Sequence, residues 1–388
     1  MSLTFDSARI PNPHLTEDHL AWRDALRRFV DKEIMPYAED WDEAGHIPIA
    51  LWPKAAEVGL LGAGYPEQYG GMETDSWHSW IINEELSRVG VGGLSASLMV
   101  HGIGLPPVIN WGTEAMKAEI APPVLRGESW ISLGITEPGG GSDVASLQTT
   151  AVRDGDHYIV NGSKTYITGG MRANYVSTAV RTGGDGATGV SMLLIPTDAE
   201  GFSRTALDKK MGWWASDTAT LYFDNVRVPV SNLIGQENQG FRVIMTNFNS
   251  ERMGMAAAME AFGRVCLEEA VNWARERQTF GKRLADHQVI RHKIAMMKQK
   301  LNATQAYIRI CYEAIEVGEA NAGDIALLKV QASEVMEFCA REAMQILGGV
   351  GYMRGNRVER IYREVRVNAI GGGSEEIMRD LASRQYGL

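Results

Sequence analysis

Cysteine is nearly absent. The three present, Cys266, Cys311 and Cys339, are odd in number, far apart and set in helical patterns. That usage excludes a disulfide framework or a zinc knuckle and fits buried thiols in a reducing compartment. No uninterrupted apolar run approaches the roughly 20 residues that a membrane helix needs. The opening MSLTFDSARIPNPHL lacks a basic start followed by a long apolar stretch, so it does not read as a signal peptide. A cytoplasmic protein without membrane insertion is therefore expected. Positive charge is in deficit, with 38 Lys and Arg against 48 Asp and Glu and a formal net charge of -10. This argues against general nucleic-acid binding and leaves room only for a local basic groove. Several motifs are missing as well: no GxGxxG follows a strand, and there is no GxxxxGK[ST] loop, HExxH pair or GxSxG elbow. His101, His287 and His292 have no His or Cys partner at ligand spacing, so no metal centre is expected.

What is present is a long chain, 45% hydrophobic and 22% charged over 388 residues, enough for a large core and two or three domains. Residues 14 to 130 read as helical. Thr16 caps a helix whose apolar side is Leu20, Leu26, Phe29, Val30 and Ile34, ending before Pro36, with more helices at 50–59, 74–88, 94–109 and 114–126. From about 131 to 235 the period becomes two, with hairpin signals at Asp154-Gly155, Asn161-Gly162 and the GGDG of 183–186. Strands are predicted over 175–180 and 190–195. From Gln239 the helical period returns, with segments at 238–278, 287–317, 323–346 and 374–384. The expected organisation is α+β: a helical domain over 1–130, an antiparallel β domain over 131–236 and a helical domain over 237–388.

Chemistry points to four places. The long helix closing at Gly281 has apolar residues Ile244, Phe248, Met255, Met259 and Phe262 at helical spacing, and inside it lies Asn249-Ser250-Glu251-Arg252. An adjacent Glu and Arg there must turn outward, which is the ordinary outcome, or find partners. Three glycine-rich turns accompany it. Thr136 to Asp143 (TEPGGGSD) is either a tight loop or an anion cradle of backbone N–H groups completed by Ser142. In Gly348-Gly349-Val350-Gly351, a helix C-cap explains one glycine of three. Gly371-Gly372-Gly373 precedes Ser374, which can cap the last helix and present its amino end to a phosphate.

The stretches GITEPGGGSD, NGSKTYITGG, RERQTFGKRLADHQ, QILGGVGY and YREVRVNAIGGGSEEIMRDL, in this order over nearly the whole chain, resemble the acyl-CoA dehydrogenase family. The resemblance implies an amino-terminal helical domain, a middle β domain and a carboxy-terminal four-helix domain. It also implies bound FAD, an acyl-CoA thioester substrate, an electron-transfer flavoprotein as acceptor and a homotetramer. By position it assigns Leu133, Ile135, Thr136, Gly141 and Ser142 to the flavin, with Ser142 also reaching substrate. Tyr166 and Thr168 flank the ring, Tyr166 standing where Trp is frequent. It assigns Arg277, Thr279, Phe280, His287, Gln288, Gln345, Gly348 and Gly349 to FAD, partly across a subunit boundary, together with Ser374 and Glu376. Asn249, Arg252 and Gly373 are assigned to the substrate.

One departure from the family pattern directs the chemistry. Many members carry the catalytic glutamate at the position of Gly372. A long-chain and isovaleryl-like subset instead places the base at the position of Glu251, directly before the Arg matching Arg252. The implied reaction is α-proton removal by Glu251 with the β-hydride passing to flavin N5, giving the trans-2-enoyl thioester. Glu375 and Glu376 are rival bases, and the dipole of the last helix accounts for them structurally. A flavin monooxygenase built on this fold and a non-catalytic acyl-CoA-binding scaffold are the alternatives. Glycines at 371 and 372 suit a longer or branched acyl group.

Overall fold

The computed structural model describes residues 3–388. Contacts group the chain into two compact units that do not follow chain order. The first takes the stretch up to Glu39, Asp75–Gly92 and Asn249–Leu388, and the second takes Asp40–Thr74 and Gly93–Phe248.

In the first unit, α1 (Glu17–Phe29) is capped by Thr16, with His19 completing a reciprocal capping box. The helix was expected to stop before Pro36, which lacks an N–H and obstructs the preceding turn. The chain meets that constraint early, widening into a π turn over Val30–Ile34 and then a 3-10 turn over Met35–Tyr37. This unit also holds α4 (Ser76–Ser87), the bundle of α9, α10 (Gln288–Glu316), α11 (Ala322–Leu347), α13 (Arg357–Ile370) and α14 (Glu375–Gln385), and the single turn α12 (Gly349–Tyr352). Helix α9 runs Gly240–Glu276 and belongs to this unit from Asn249 onward. Helix α11 packs on α10, α13 and α14. The core is built from Phe262, Val265, Leu301, Leu328, Met336, Val358 and Ile361, among others.

Buried charges tie α9 to its neighbours. The Arg264 side chain has no exposed surface. It donates to Glu260 Oε2 at 2.9 Å and Phe5 O at 3.2 Å, and it also bonds Glu84. Burial pushes the Glu84 carboxyl upward, but Arg264, Arg9 and Arg23 outweigh it and hold the pKa down at about 2. Helix α13 was not among the long segments expected from the sequence, although it buries Val358, Ile361 and Val365 on one face.

The second unit contains the short helices α2 (Ala38–Ala44, shared with the first unit), α3 (Leu51–Glu57), α5 (Gly92–Leu98), α6 (His101–Gly104), α7 (Pro106–Trp111) and α8 (Glu114–Leu125). The helix expected over 94–109 is three pieces, and the second break falls at Pro106, which cannot continue α6 but can open α7 as one of its first residues.

The sheet strands are β1 (Ile131–Gly134), β2 (Thr150–Asp154), β3 (His157–Thr168), β4 (Tyr175–Arg181), β5 (Val190–Pro196), β6 (Phe202–Ala206), β7 (Thr218–Pro229) and β8 (Leu233–Ile234). The main path is β6-β7-β3-β2-β4-β5-β8. The sheet was expected to be antiparallel, yet it is mixed. Strand β1 pairs with β4 in parallel through Ile131↔Tyr175 to Gly134↔Thr178, and β2 joins the same strand in parallel at Thr150↔Arg181. Strands β1 and β2 therefore occupy successive stretches along one partner, and the chain from 135 to 149 leaves the sheet between them. That excursion carries the TEPGGGSD loop.

Candidate active site

Glu251 and Arg252 lie on α9 in the first unit, and neither turns simply outward. Glu251 is half-buried, and Arg252 is 6% exposed. Burial raises the Glu251 carboxyl pKa to about 7, with Arg252 and Lys329 pulling the other way. Burial lowers the Arg252 guanidinium, with Glu251 supporting its charge. Arg252 donates from Nε to Gly372 O at 3.0 Å and from Nη1 to Asn249 Oδ1 at 3.3 Å. Asn249, Arg252 and the carbonyl of Gly372 thus converge beside Glu251.

The Gly371–Gly373 turn faces them, and two of its residues adopt a backbone that favours glycine. Gly372 and Gly373 have φ of +68° and +106°, a region that costs an L side chain. A Cβ on Gly372 would lie 2.8 Å from Met255 Sδ and 3.9 Å from Glu251 Oε1. A glutamate there and Glu251 would compete for one space. The rival acids have other work. Glu375 accepts a hydrogen bond from Ser333 Oγ at 2.6 Å. Exposed Glu376 is held below the usual range by its own backbone N–H and by Ser374, whose hydroxyl caps α14 by accepting from Ile377 N.

In the second unit the neck of the TEPGGGSD loop is fastened by a buried pair that the sequence reading passed over. Lys164 Nζ donates to Ile135 O at 3.1 Å and Glu137 Oε1 at 2.7 Å. Glu137 also accepts the backbone N–H groups of Gln148 and Thr149. One acid therefore ties the start of the excursion to its end. Burial lowers the Lys164 pKa to about 8 despite Glu137. A lysine inside the strand pattern NGSKTYIT was the available signal.

Thr136 O accepts Thr165 N–H at 2.8 Å, and Thr168 O accepts Ser132 Oγ at 2.9 Å. The wall carrying Leu133, Ile135, Thr136 and Thr168 is thereby locked. The β3–β7 register slips between Lys164 and Ile167, leaving Tyr166 in a bulge at φ +59° and 71% exposed. A bulge re-aims a side chain. At the loop tip Gly141 and Ser142 are exposed, and a Cβ on Gly139 or Gly140 would meet nothing within 4 Å.

The remaining expected residues gather around a recess of about 500 Å³ in the first unit. Arg277, Thr279, Gly348 and Gly349 line it with Trp273, Leu284, Ile346, Leu347 and Val350. His287 supports Thr279, its Nε2 lying 3.0 Å from the Thr279 hydroxyl. The hairpin of β9 (Gln278–Thr279) and β10 (Lys282–Arg283) turns through Phe280 at φ +52° and Gly281 at φ +74°. Phe280 is 96% exposed. Gln288 and Gln345 are exposed beside it in sequence and are not part of the recess lining.

These features fit FAD. Exposed glycine backbone and a guanidinium suit its pyrophosphate, and aromatic side chains held outward at positive φ suit flat rings. Among the described residues, His19, Asp75 and His78 form one group with metal-ligand spacing. Its hydrogen bonds cap α1 and α4, which accounts for it without an ion.

The chemistry is named by what the chain is similar to, flavin-dependent oxidoreductases acting on CH–CH bonds. Family models match in sequence over residues 16–128 (acyl-CoA dehydrogenase, N-terminal domain), 132–226 (middle domain) and 238–387 (C-terminal domain), so the chain belongs to the FAD-dependent acyl-CoA dehydrogenase family. It is 34% identical to the mitochondrial long-chain specific acyl-CoA dehydrogenase of Rattus norvegicus, over 95% of this chain and 86% of that protein. A solved structure of a probable acyl-CoA dehydrogenase from Mycobacterium abscessus superposes with TM-score 0.94 at 44% identity, covering 96% of this chain and 99% of that one. A glutaryl-CoA dehydrogenase from Mycobacterium smegmatis, solved with FADH2, superposes with TM-score 0.90 at 26% identity, covering 96% and 95%.

Proposed function

We propose that the protein converts a saturated acyl-CoA thioester to its trans-2-enoyl thioester, with Glu251 as the base that removes the α-proton. The observation carrying this reading is the Glu251 carboxyl, raised to about 7 by burial and set beside Gly372, where no competing side chain stands. A base is most effective when its pKa lies near the operating pH, because it is then both ionised and willing to accept a proton. Bound FAD supplies the hydride acceptor.

The chain's own residues do the rest. Glu251 takes the proton from the carbon next to the thioester carbonyl. Arg252 keeps the Gly371–Gly373 turn in place by holding Gly372 O and keeps Asn249 alongside. Burial around Glu251 disfavours its charged form and so makes it a stronger proton acceptor. Arg252 remains a guanidinium and carries no proton transfer.

Similarity to a long-chain specific relative favours a longer or branched acyl group. Electron delivery to an electron-transfer flavoprotein and assembly as a homotetramer complete the proposal. Arg277, Phe280 and the Gly348–Gly349 recess would then serve FAD near a subunit boundary. Anaerobic titration of the yellow protein with short, long and branched saturated acyl-CoAs tests the reading. Loss of visible flavin absorbance with long or branched chains is expected, and no loss with any of them while FAD stays bound would overturn it.

A further inference from the structure

Lys329 sits on α11 with no exposed surface, inside the apolar stretch Ile325-Ala326-Leu327-Leu328-Lys329-Val330. Its Nζ donates to Ala369 O at 3.1 Å and to Gly373 O at 2.8 Å. Ala369 lies in the last turn of α13 and Gly373 just before the N-cap of α14, so this one ammonium spans both ends of the glycine turn. Arg252 holds Gly372 O between them. Two buried cations from two helices thus fix one turn of backbone.

We infer that Lys329 is a positioning residue for the reaction, setting the shape of the Gly371–Gly373 turn beside Glu251 and holding the Glu251 carboxyl in its ionised, proton-accepting form. The inference rests on Glu251 being the base. The charged groups that act on Lys329 are Glu251 and Arg252 from α9 and Glu375 and Glu376 from α14. Those acting on Glu251 are Arg252 and Lys329. Burial lowers Lys329 to about 8 while Glu375, Glu251 and Glu376 support its charge, so it remains cationic at the pH where Glu251 titrates. A lysine that merely tied the turn would contribute stability and leave that titration where it is.

The test is an infrared titration of the FAD-loaded protein. It follows the C=O band of protonated Glu251, assigned by its disappearance in Glu251→Gln. In Lys329→Met the midpoint should rise by about one pH unit, since an opposing positive charge has gone. The acid limb of flavin reduction should move upward with it. Lys329→Arg, which keeps the charge and a donor, should return the midpoint to the parental value. An unmoved midpoint in Lys329→Met overturns the inference, as does a midpoint in Lys329→Arg that matches Lys329→Met. Should the methionine variant fail to fold, Lys329→Gln removes the charge but keeps an amide donor, and the same two readings apply. The two claims fail separately. Parental flavin reduction by Glu251→Gln would reject the base, whereas an inactive Glu251→Gln with an unmoved Lys329→Met midpoint would reject only the role of Lys329.

Discussion

At Gly371–Gly373 the backbone asks for glycine at two of three positions. Gly372 and Gly373 lie at positive φ, and a Cβ on Gly373 would approach Met378 Cε to 2.4 Å. At Gly139–Gly141 the backbone carries no such demand. No positive φ occurs there, and the nearest neighbour of any added Cβ is Thr136 Cγ2, 3.3 Å from position 141. The first run is glycine because of what the chain itself packs against it. The second spends the Gly140 N–H on Glu137 O, yet its outer faces stay open and exposed, with room for a bound molecule. In sequence the two look the same, so a glycine run should be interpreted through the atoms around it.

The largest effect that sharpens this contrast is at the carboxylate beside the first run. Glu251→Gln should retain FAD and lose roughly a thousandfold in single-turnover flavin reduction by acyl-CoA, within the range that a general base contributes. The same substitution has a stability signature with a definite sign. Because the folded pKa of about 7 lies above the ordinary 4.5, the folded state binds more protons than the unfolded state between those values. Parental stability therefore falls as pH rises from about 4.5 to 7 and is flat above. Glu251→Gln should abolish that slope, a gain over the parent of at most about 3 kcal/mol at pH 8 relative to pH 4, read by chemical denaturation.

Next in size, Gly373→Ala should lower stability by about 2 kcal/mol through backbone strain and crowding. Smallest, Gly140→Ala should leave stability within about 0.5 kcal/mol. It should nonetheless weaken FAD retention about tenfold, or ~1.4 kcal/mol, measured by flavin dissociation. If Gly140→Ala unfolded the protein while Gly373→Ala did not, the contrast would be reversed.

The legible parts of the fold were those with a strong period. The long helices α9, α10 and α11 and the hairpin-rich middle section fall close to where the sequence puts them. Helix α13 was obscured because Arg and Glu crowd the apolar positions of RVERIYREVRVNAI. The parallel pairing of β1 was not readable from four residues, since pairing direction depends on where the chain returns rather than on side-chain alternation.

At the site, the Glu251-Arg252 pair was visible as an oddity, and only its burial separates a buried pair from a solvated one. Lys329 and Lys164 were hidden for a related reason. Each lies in an apolar or alternating run that reads as core, and its partners come from distant positions, Ala369 and Gly373 for one and Glu137 for the other. Tyr166 was placed at the flavin by resemblance, whereas the bulge that turns it outward belongs to the β3–β7 register.

The most direct measurement is exchange of the substrate α-hydrogen with solvent, followed by mass spectrometry of a saturated acyl-CoA incubated anaerobically in D2O with parent and Glu251→Gln. It reports the base alone, independent of hydride transfer. The parent should incorporate deuterium at Cα at a rate that rises with pH through about 7, and Glu251→Gln should incorporate essentially none. Exchange by Glu251→Gln at the parental rate would contradict the assignment of Glu251 as the base.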